Sequence, residues 1–170
     1  RQVIGIEAVL ADGTVIGSLA GLPKESVGLH WPSVLAGSEG TMAVITAARL
    51  RLVPHFGHVT TMLTAVDSVE AAVALLAAVR GRVGSLDSIE IMFPEAVDLV
   101  SEHLGTSAPV DVPSAGMAVL IECADHVDPT DDLHAVVSQV AGITDTAVAI
   151  GGPGRHRLLE FRDRVTEAIA

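Results

Sequence analysis

Two groups of residues in this sequence have the types and the spacing to do chemistry. The first is the run from Gly37 to Thr46, Gly-Ser-Glu-Gly-Thr-Met-Ala-Val-Ile-Thr, where two nearby glycines precede an apolar stretch. Glycine permits a tight turn that another group can approach closely, and such a turn can direct N–H groups toward a phosphate or a polar ring edge. The same spacing is also typical of an ordinary turn, so both interpretations remain open at this point.

The second group is Arg162 and Thr166, which are neighbours on one face if the segment 155–169 is a single helix. Helical periodicity puts Arg162 at the edge of a buried stripe. The stripe consists of Leu158, Phe161, Val165 and Ile169. A guanidinium at such an edge can hold a carboxylate through two parallel hydrogen bonds. The alternative is an arginine whose aliphatic stem only covers the core.

Other polar residues favour structural roles. The seven histidines lack the spacing of metal ligands, so we predict no metal site, and we identify no catalytic residue. Glu90 and Glu122 could be active-site acids, but outward-facing positions at an edge or end of a strand also explain them. The run Gly151–Gly154 could bind an anion ahead of a helix or form a plain turn. On the last helix, Arg164 and Glu160 are expected to pair away from the core.

Composition excludes several classes of function. The 170 residues carry a net charge of −11 with only ten Lys plus Arg, which argues against a nucleic acid or an anionic membrane as partner. The longest apolar run, Ala71 to Val79, is far shorter than the ~18 residues that span a bilayer. We therefore expect no membrane span and a cytoplasmic location. The chain starts at Arg1, inside a strand-like segment, as an internal piece of a longer protein would.

Hydrophobic patterns predict the elements that must position these residues. Strand-like segments flank the pair Asp12-Gly13, which predicts a hairpin with a type I′ turn. A strand over 42–53 ends at Pro54. Beyond it, strands alternate with helices, and one extra helix interrupts the alternation, which predicts an α+β fold with a ferredoxin-like sandwich. These four strands are expected near 58–66, 85–93, 117–123 and 146–150.

Several of these segments, taken together, resemble those of a known family. They are Val3–Gly13, Gly37–Thr41, Arg49–Pro54, Ile89–Met92, Val119–Glu122 and Phe161–Ala168. In this order they are similar to the FAD-linked oxidases and dehydrogenases of the vanillyl-alcohol oxidase superfamily, which have a PCMH-type FAD-binding domain. The similarity is to the branch with D-2-hydroxyglutarate dehydrogenase, D-lactate dehydrogenase and the flavin subunit of glycolate oxidase.

The resemblance implies two domains and two sets of site residues. Residues 1–54 would be the C-terminal part of the FAD-binding domain, and residues 55–170 the first part of a substrate cap of the FAD-linked oxidase C-terminal type. Arg162 and Thr166 would bind the carboxylate of the substrate. The residues implied to lie against FAD are Glu39, Gly40, Thr41, Met42, Ala43, Val44 and Ile45.

The resemblance also implies a function for the longer parent protein. The parent would oxidise a D-2-hydroxy acid by hydride transfer to FAD. This chain by itself is expected to be inactive and to lose FAD, because the glycine-rich phosphate-binding half and the family's cap histidines lie outside it. Its unpaired strands could lead to self-association. The sequence departs from the family at His30-Trp31, Ala43 and Phe93. The alternative is a free-standing ferredoxin-like module that binds a ligand or a partner and catalyses nothing.

Overall fold

The chain folds as two units in the computed structural model, which describes residues 2–20 and 28–170. The first unit covers Arg1–His55 and the second covers Phe56–Ala170. Each unit has its own antiparallel sheet and its own buried apolar residues. The mixture of helices and antiparallel sheets confirms the predicted α+β class.

The described residues of the first unit form a three-stranded sheet with one short helix. The strands are β1 (Val3–Val9), β2 (Val15–Ser18) and β3 (Val44–Leu50), and the helix is α1 (Trp31–Leu35). The sheet order is β2-β1-β3, so β1 is the central strand. The buried core of this unit is small, and its members are Ile6, Ala8, Leu35 and Ala43.

The predicted hairpin joins β1 and β2, but its turn is not type I′. A type I′ turn needs a positive φ at both central residues, and of the two only Gly13 has one, at 85°. Gly13 N–H donates to Leu10 O at 3.0 Å, and Leu10 N–H donates to Thr14 O at 2.9 Å. This is the longer hairpin loop in which glycine follows a tight turn as a bulge. The Asp12 carboxylate accepts a hydrogen bond from the N–H of Thr14, which stabilises the longer loop.

The second unit is a four-stranded antiparallel sheet with helices on both faces. Its elements are β4 (His58–Val66), α2 (Val69–Arg82), β5 (Leu86–Met92), α3 (Pro94–Leu104), β6 (Met117–Asp125), α4 (Thr130–Val137), β7 (Ile143–Ile150), α5 (Gly152–Asp163) and α6 (Val165–Ile169). The order β5-β6-β4-β7 places the first and third strands of the unit at the centre. This is the predicted ferredoxin-like arrangement, and α3 is the extra helix.

Both faces of the central strands are buried, which explains why their sequences are almost continuously apolar. One face packs against α2 and α4, and the other packs against α3 and α5. Three helix ends carry residues that favour such ends. The Ser68 hydroxyl accepts the N–H of Ala71 at 3.3 Å, Pro94 stands at the start of α3, and Gly105 ends α3 with a φ of 63°.

The buried face of α2 differs from the one that periodicity predicts. Val69 and Val73, expected on that face, are 50% and 56% exposed, whereas Ala71 and Leu75 are buried. The helix carries apolar residues almost all the way round, so the apolar pattern alone does not select a face. Among the residues described, no helix is both long enough and apolar enough to cross a bilayer.

Hydrogen exchange is expected to be slowest in β4 and β6 of the second unit. Their residues Met62, Leu63 and Ile121 are fully buried between two layers of helices, whereas the first unit buries only a small apolar cluster. Exchange followed by mass spectrometry on the 170-residue chain should therefore show faster exchange in β1, β2 and β3. Equal and strong protection of both units in a monomer would contradict this expectation.

Candidate functional site

The turn from Ser38 to Thr41 has the geometry that the glycine spacing suggested. Thr41 N–H donates to Ser38 O at 3.0 Å, and the Thr41 hydroxyl donates to the same oxygen at 2.6 Å. Glu39 has a φ of 51° and Gly40 a φ of 76°, so both central residues are left-handed, as a type I′ turn requires. Within the described part of the chain, Glu39 is the only residue other than glycine with a positive φ. The strain is local to this turn.

An open cavity of about 430 Å³ lies beside this turn. One wall comes from the β1–β2 hairpin and the other from the segment that leads into β3. The lining residues are Val9, Leu10, Ala11, Gly40, Thr41, Met42, Ala43, Val44 and Thr46. None of these lining residues is charged, and Met42 and Val44 expose apolar side chains, at 53% and 67%. The cavity thus has an uncharged and partly apolar lining.

The structure brings most of the predicted FAD-facing residues to one cavity wall. Residues 40–44 line the cavity, whereas Glu39 and Ile45 are not part of its lining. Ala43 is the buried member and belongs to the core of the unit. Thr46 lies at an irregularity in the β1–β3 register, and its hydroxyl donates to a Glu7 carboxylate oxygen at 2.7 Å. The sequence analysis did not single out Thr46 and Glu7, because only the pairing of β1 with β3 brings these two residues together.

Gly40→Ala should destabilise the first unit by about 1 kcal/mol, because an L-residue at this φ is strained. No atom lies within 4 Å of the Cβ that alanine would add, so the cost comes from the backbone alone. Gly17→Ala is the matched comparison, since its Cβ would also meet Ile6 O at 2.2 Å, and it should cost more. Fluorescence of Trp31 during urea unfolding measures both variants. A Gly40→Ala variant that is as stable as wild type would contradict the left-handed conformation of Gly40.

A buried carboxylate, Glu122, organises polar residues in the second unit. Glu122 is 7% exposed and lies on β6, with Thr61 of β4 and Ser88 of β5 as its cross-strand neighbours. The Thr61 hydroxyl donates to Glu122 Oε1 at 3.2 Å, and the Ser88 hydroxyl lies 3.5 Å from Oε2. From α5, Arg155 donates to Oε1 through Nη2 at 2.6 Å and through Nε at 3.1 Å. Both oxygens of this buried carboxylate therefore have partners.

Arg162 lies on the same face of α5 as Arg155, two turns further on. Its Nη1 is 3.2 Å from Glu90 Oε1 and 3.6 Å from Glu122 Oε2, and its Nε donates to Asp163 Oδ1 at 2.8 Å. The hydrogen bond to Asp163 is the main cause of a raised pKa of Arg162, which burial opposes and the charges of Asp163 and Glu90 reinforce. The side chain is 29% exposed, so the guanidinium is held in place but accessible.

The expectation that Glu122 faces outward at an edge or end of a strand is wrong. β6 lies between β5 and β4, which makes it a central strand, and Glu122 faces the layer that contains α5. The order of strands in the sheet depends on long-range pairing, so the position of Glu122 could not be inferred from the segment itself. The compensating arginines lie more than thirty residues away in the chain.

The predicted single last helix is also wrong, because it is interrupted at Arg164. α5 ends at Asp163 and α6 begins at Val165, and Ile169 is 70% exposed instead of buried. Arg164 pairs with Glu167 at 2.5 Å and not with Glu160, which lies near His156. Thr166 is exposed on α6, so it no longer shares one continuous helix with Arg162.

Three further features lie outside these two clusters. Within residues 2–20 and 28–170, no group of three His, Cys, Asp or Glu side chains could hold a metal ion. Gly151 and Gly152 have positive φ angles and begin α5. Cys123 is fully buried on β6, and burial raises the pKa of its thiol. The polar cluster around Arg162 combines two arginines with three carboxylates.

Comparison with curated proteins identifies relatives over almost the whole chain. The chain is 31% identical over 175 residues to D-2-hydroxyglutarate dehydrogenase, mitochondrial, of Bos taurus, a match that covers 99% of the chain and 32% of the relative. It is 30% identical over 169 residues to D-lactate dehydrogenase of Archaeoglobus fulgidus, with 99% and 37% covered. The chain thus spans about a third of the length of the curated relatives that it matches. No protein-family model matches the chain.

Solved structures share the fold at low sequence identity. An alkyldihydroxyacetonephosphate synthase matches 98% of the chain and 33% of its own length, with a TM-score of 0.58 and 16% identity. The 4-ethylphenol oxidase from Gulosibacter chungangensis matches 96% of the chain and 38% of its own length, with a TM-score of 0.54 and 14% identity. At these identities the likeness establishes a shared fold.

Proposed function

We propose that this chain is a homologue of the D-2-hydroxyglutarate and D-lactate dehydrogenases and works as part of such an enzyme. It has the fold of the FAD-linked oxidases of the vanillyl-alcohol oxidase superfamily. The protein that contains it is an FAD-dependent oxidoreductase that oxidises a D-2-hydroxy acid. Residues 1–54 form the end of its FAD-binding domain, and residues 55–170 form the first part of its substrate cap. The chain alone does not catalyse the reaction.

The cavity beside the Ser38–Thr41 turn fits a role in holding FAD. Its walls combine exposed apolar side chains with the backbone of a left-handed turn, which suits a flat ring system with polar edges. The segment Glu39–Ile45 would lie against the cofactor. When bound, flavin supplies the hydride-accepting chemistry, and the protein supplies orientation. The lining residues Met42 and Val44 would exclude water from that side.

The observation that carries the proposal is the held but accessible guanidinium of Arg162. A planar fork fixed by carboxylates on its inner side can bind a substrate carboxylate on its free side, with a geometry that lysine cannot reproduce. Arg162 would thus anchor the acid group of a D-2-hydroxy acid. Thr166, exposed on the next short helix, would add a hydroxyl donor to the same carboxylate.

Flavin binding tests the proposal. The purified 170-residue chain should be colourless, because it carries one FAD-contacting segment and neither a G-x-G-x-x-G nor a P-loop phosphate-binding pattern. The full-length protein should bind one FAD and bleach on adding a D-2-hydroxy acid. Flavin absorbance and an FAD fluorescence titration of both proteins measure this. Stoichiometric binding by the 170-residue chain with micromolar affinity would overturn the assigned domains, and a full-length protein without flavin would overturn the function.

The gene provides an independent check of the same proposal. The sequence encoded before Arg1 should contain a glycine-rich, phosphate-binding half of the FAD domain. A start codon directly before Arg1 would instead support a free-standing ferredoxin-like module.

A further inference from the structure

The cluster around Arg162 contains more negative than positive charge. Two guanidinium groups, those of Arg155 and Arg162, contact three carboxylates, those of Glu90, Glu122 and Asp163. A substrate carboxylate that approached this cluster would meet no excess positive charge. Moving one of the three carboxylates away from the arginine that it contacts would therefore favour the binding of an incoming carboxylate.

Glu122 is not the carboxylate that moves. Its side chain is 9% exposed, and Thr61 and Arg155 hold one of its oxygens. Moving it would leave the guanidinium of Arg155 and the Thr61 hydroxyl without their partner. Glu122 thus acts as the fixed support of both arginines.

Glu90 has the opposite properties. Its side chain is 44% exposed, and Arg162 is the only partner that the structure gives it among the described residues. Glu90 contacts Nη1, at the end of the Arg162 guanidinium, whereas Asp163, the next residue in the chain after Arg162, contacts Nε. A carboxylate that binds the end of the fork through two hydrogen bonds needs Nη1 and Nη2 together. Glu90 therefore contacts one of the two nitrogens that such a ligand needs.

We propose that Glu90 is an internal competitor, a carboxylate that occupies the end of the Arg162 fork until the carboxylate of the substrate displaces it. This inference rests on the function proposed above. Glu90 then sets the affinity for the substrate without taking part in the reaction. An incoming carboxylate replaces the Glu90–Arg162 ion pair with an ion pair of its own. A neutral compound of the same shape forms no ion pair with Arg162, so it does not displace Glu90.

The test uses the full-length protein and the variants Glu90→Gln and Glu102→Gln. Glu102 is the matched control, because it is exposed on α3 and forms no ion pair within the described chain. The probe for calorimetry is 2-oxoglutarate, which has the carboxylates of the 2-hydroxy acid and cannot be oxidised at C2. Glu90→Gln should lower its Kd about two- to fivefold, as expected when an exposed ion pair is lost. The KM for D-2-hydroxyglutarate should fall equally with kcat unchanged, and Glu102→Gln should change neither.

Three results would overturn the proposal. They are an unchanged or raised Kd in Glu90→Gln, the same tightening in Glu102→Gln, and tightening in Asp163→Asn but not in Glu90→Gln. Melting temperatures confirm that the variants are folded. The Arg162→Ala variant separates the two levels of inference. If it still binds 2-oxoglutarate normally, the proposed carboxylate site fails as a whole. If it loses binding while Glu90→Gln matches wild type, only the role of Glu90 fails.

Discussion

Replacing Arg162 by alanine in the full-length protein should lower kcat/KM for a D-2-hydroxy acid about ten- to a hundredfold. A charge-assisted, bidentate contact to the substrate is worth roughly 1.5–3 kcal/mol, and about 1.4 kcal/mol corresponds to a factor of ten. Arg162→Lys should recover only part of the loss, because an ammonium group cannot form the planar, two-bonded contact. Steady-state kinetics on the variants, with melting temperatures, measure the effect.

Arg164→Ala is the control for this experiment. Arg164 lies two residues away and pairs with Glu167, its neighbour on α6, so its loss should leave the kinetics unchanged. If Arg162→Ala keeps full efficiency while Arg164→Ala loses it, the assignment of Arg162 is wrong. If both variants melt earlier with unchanged kinetics, Arg162 only supports the packing of α5 against the sheet.

Glu122→Ala should destabilise the second unit by roughly 2–4 kcal/mol. Breaking a buried ion pair from one side leaves the opposite charge without compensation, which costs about 3–5 kcal/mol when both partners are buried. The estimate here is lower because Arg155 and Arg162 are 38% and 29% exposed. Glu122→Gln should cost less than Glu122→Ala, because its amide oxygen can still accept a hydrogen bond from Arg155.

Urea unfolding followed by circular dichroism at 222 nm measures this effect, since five of the six helices formed by residues 2–20 and 28–170 belong to the second unit. Glu102→Ala is the control, and this exposed substitution should stay within about 0.5 kcal/mol of wild type. Equal stabilities of Glu122→Ala and Glu102→Ala would show that the buried carboxylate is not the support of the two arginines.

Much of the fold follows from local patterns in the sequence. Ser68, Pro94 and Gly105 mark helix ends through their own backbone preferences and hydrogen bonds, so neighbouring residues suffice to predict them. The alternation of apolar strands and helices restricts the second unit to a small number of topologies, and the ferredoxin-like one is observed. The glycines around Glu39 likewise predict a tight turn before β3, and the structure shows that this turn is left-handed.

Other features depart from the patterns that predicted them. Periodicity treats residues 155–169 as one helix, but with the break at Arg164 Ile169 is exposed and Ala168 packs against the core instead. The turn at Asp12 is longer than its Asp-Gly pair predicts, because the Asp12 side chain bonds to the N–H of Thr14.

Local sequence patterns predict most of the elements, their order along the chain and the residue types available for recognition, because these depend on backbone preferences and on apolar spacing. The order of strands in the sheet and the packing of α5 make Glu122 central and buried, bring Arg155 and Arg162 to it, and put Glu90 against Nη1 of Arg162. The physical reason is that strand pairing brings together charges from distant parts of the chain. Their energies depend on distance and burial, which the order of residues does not specify.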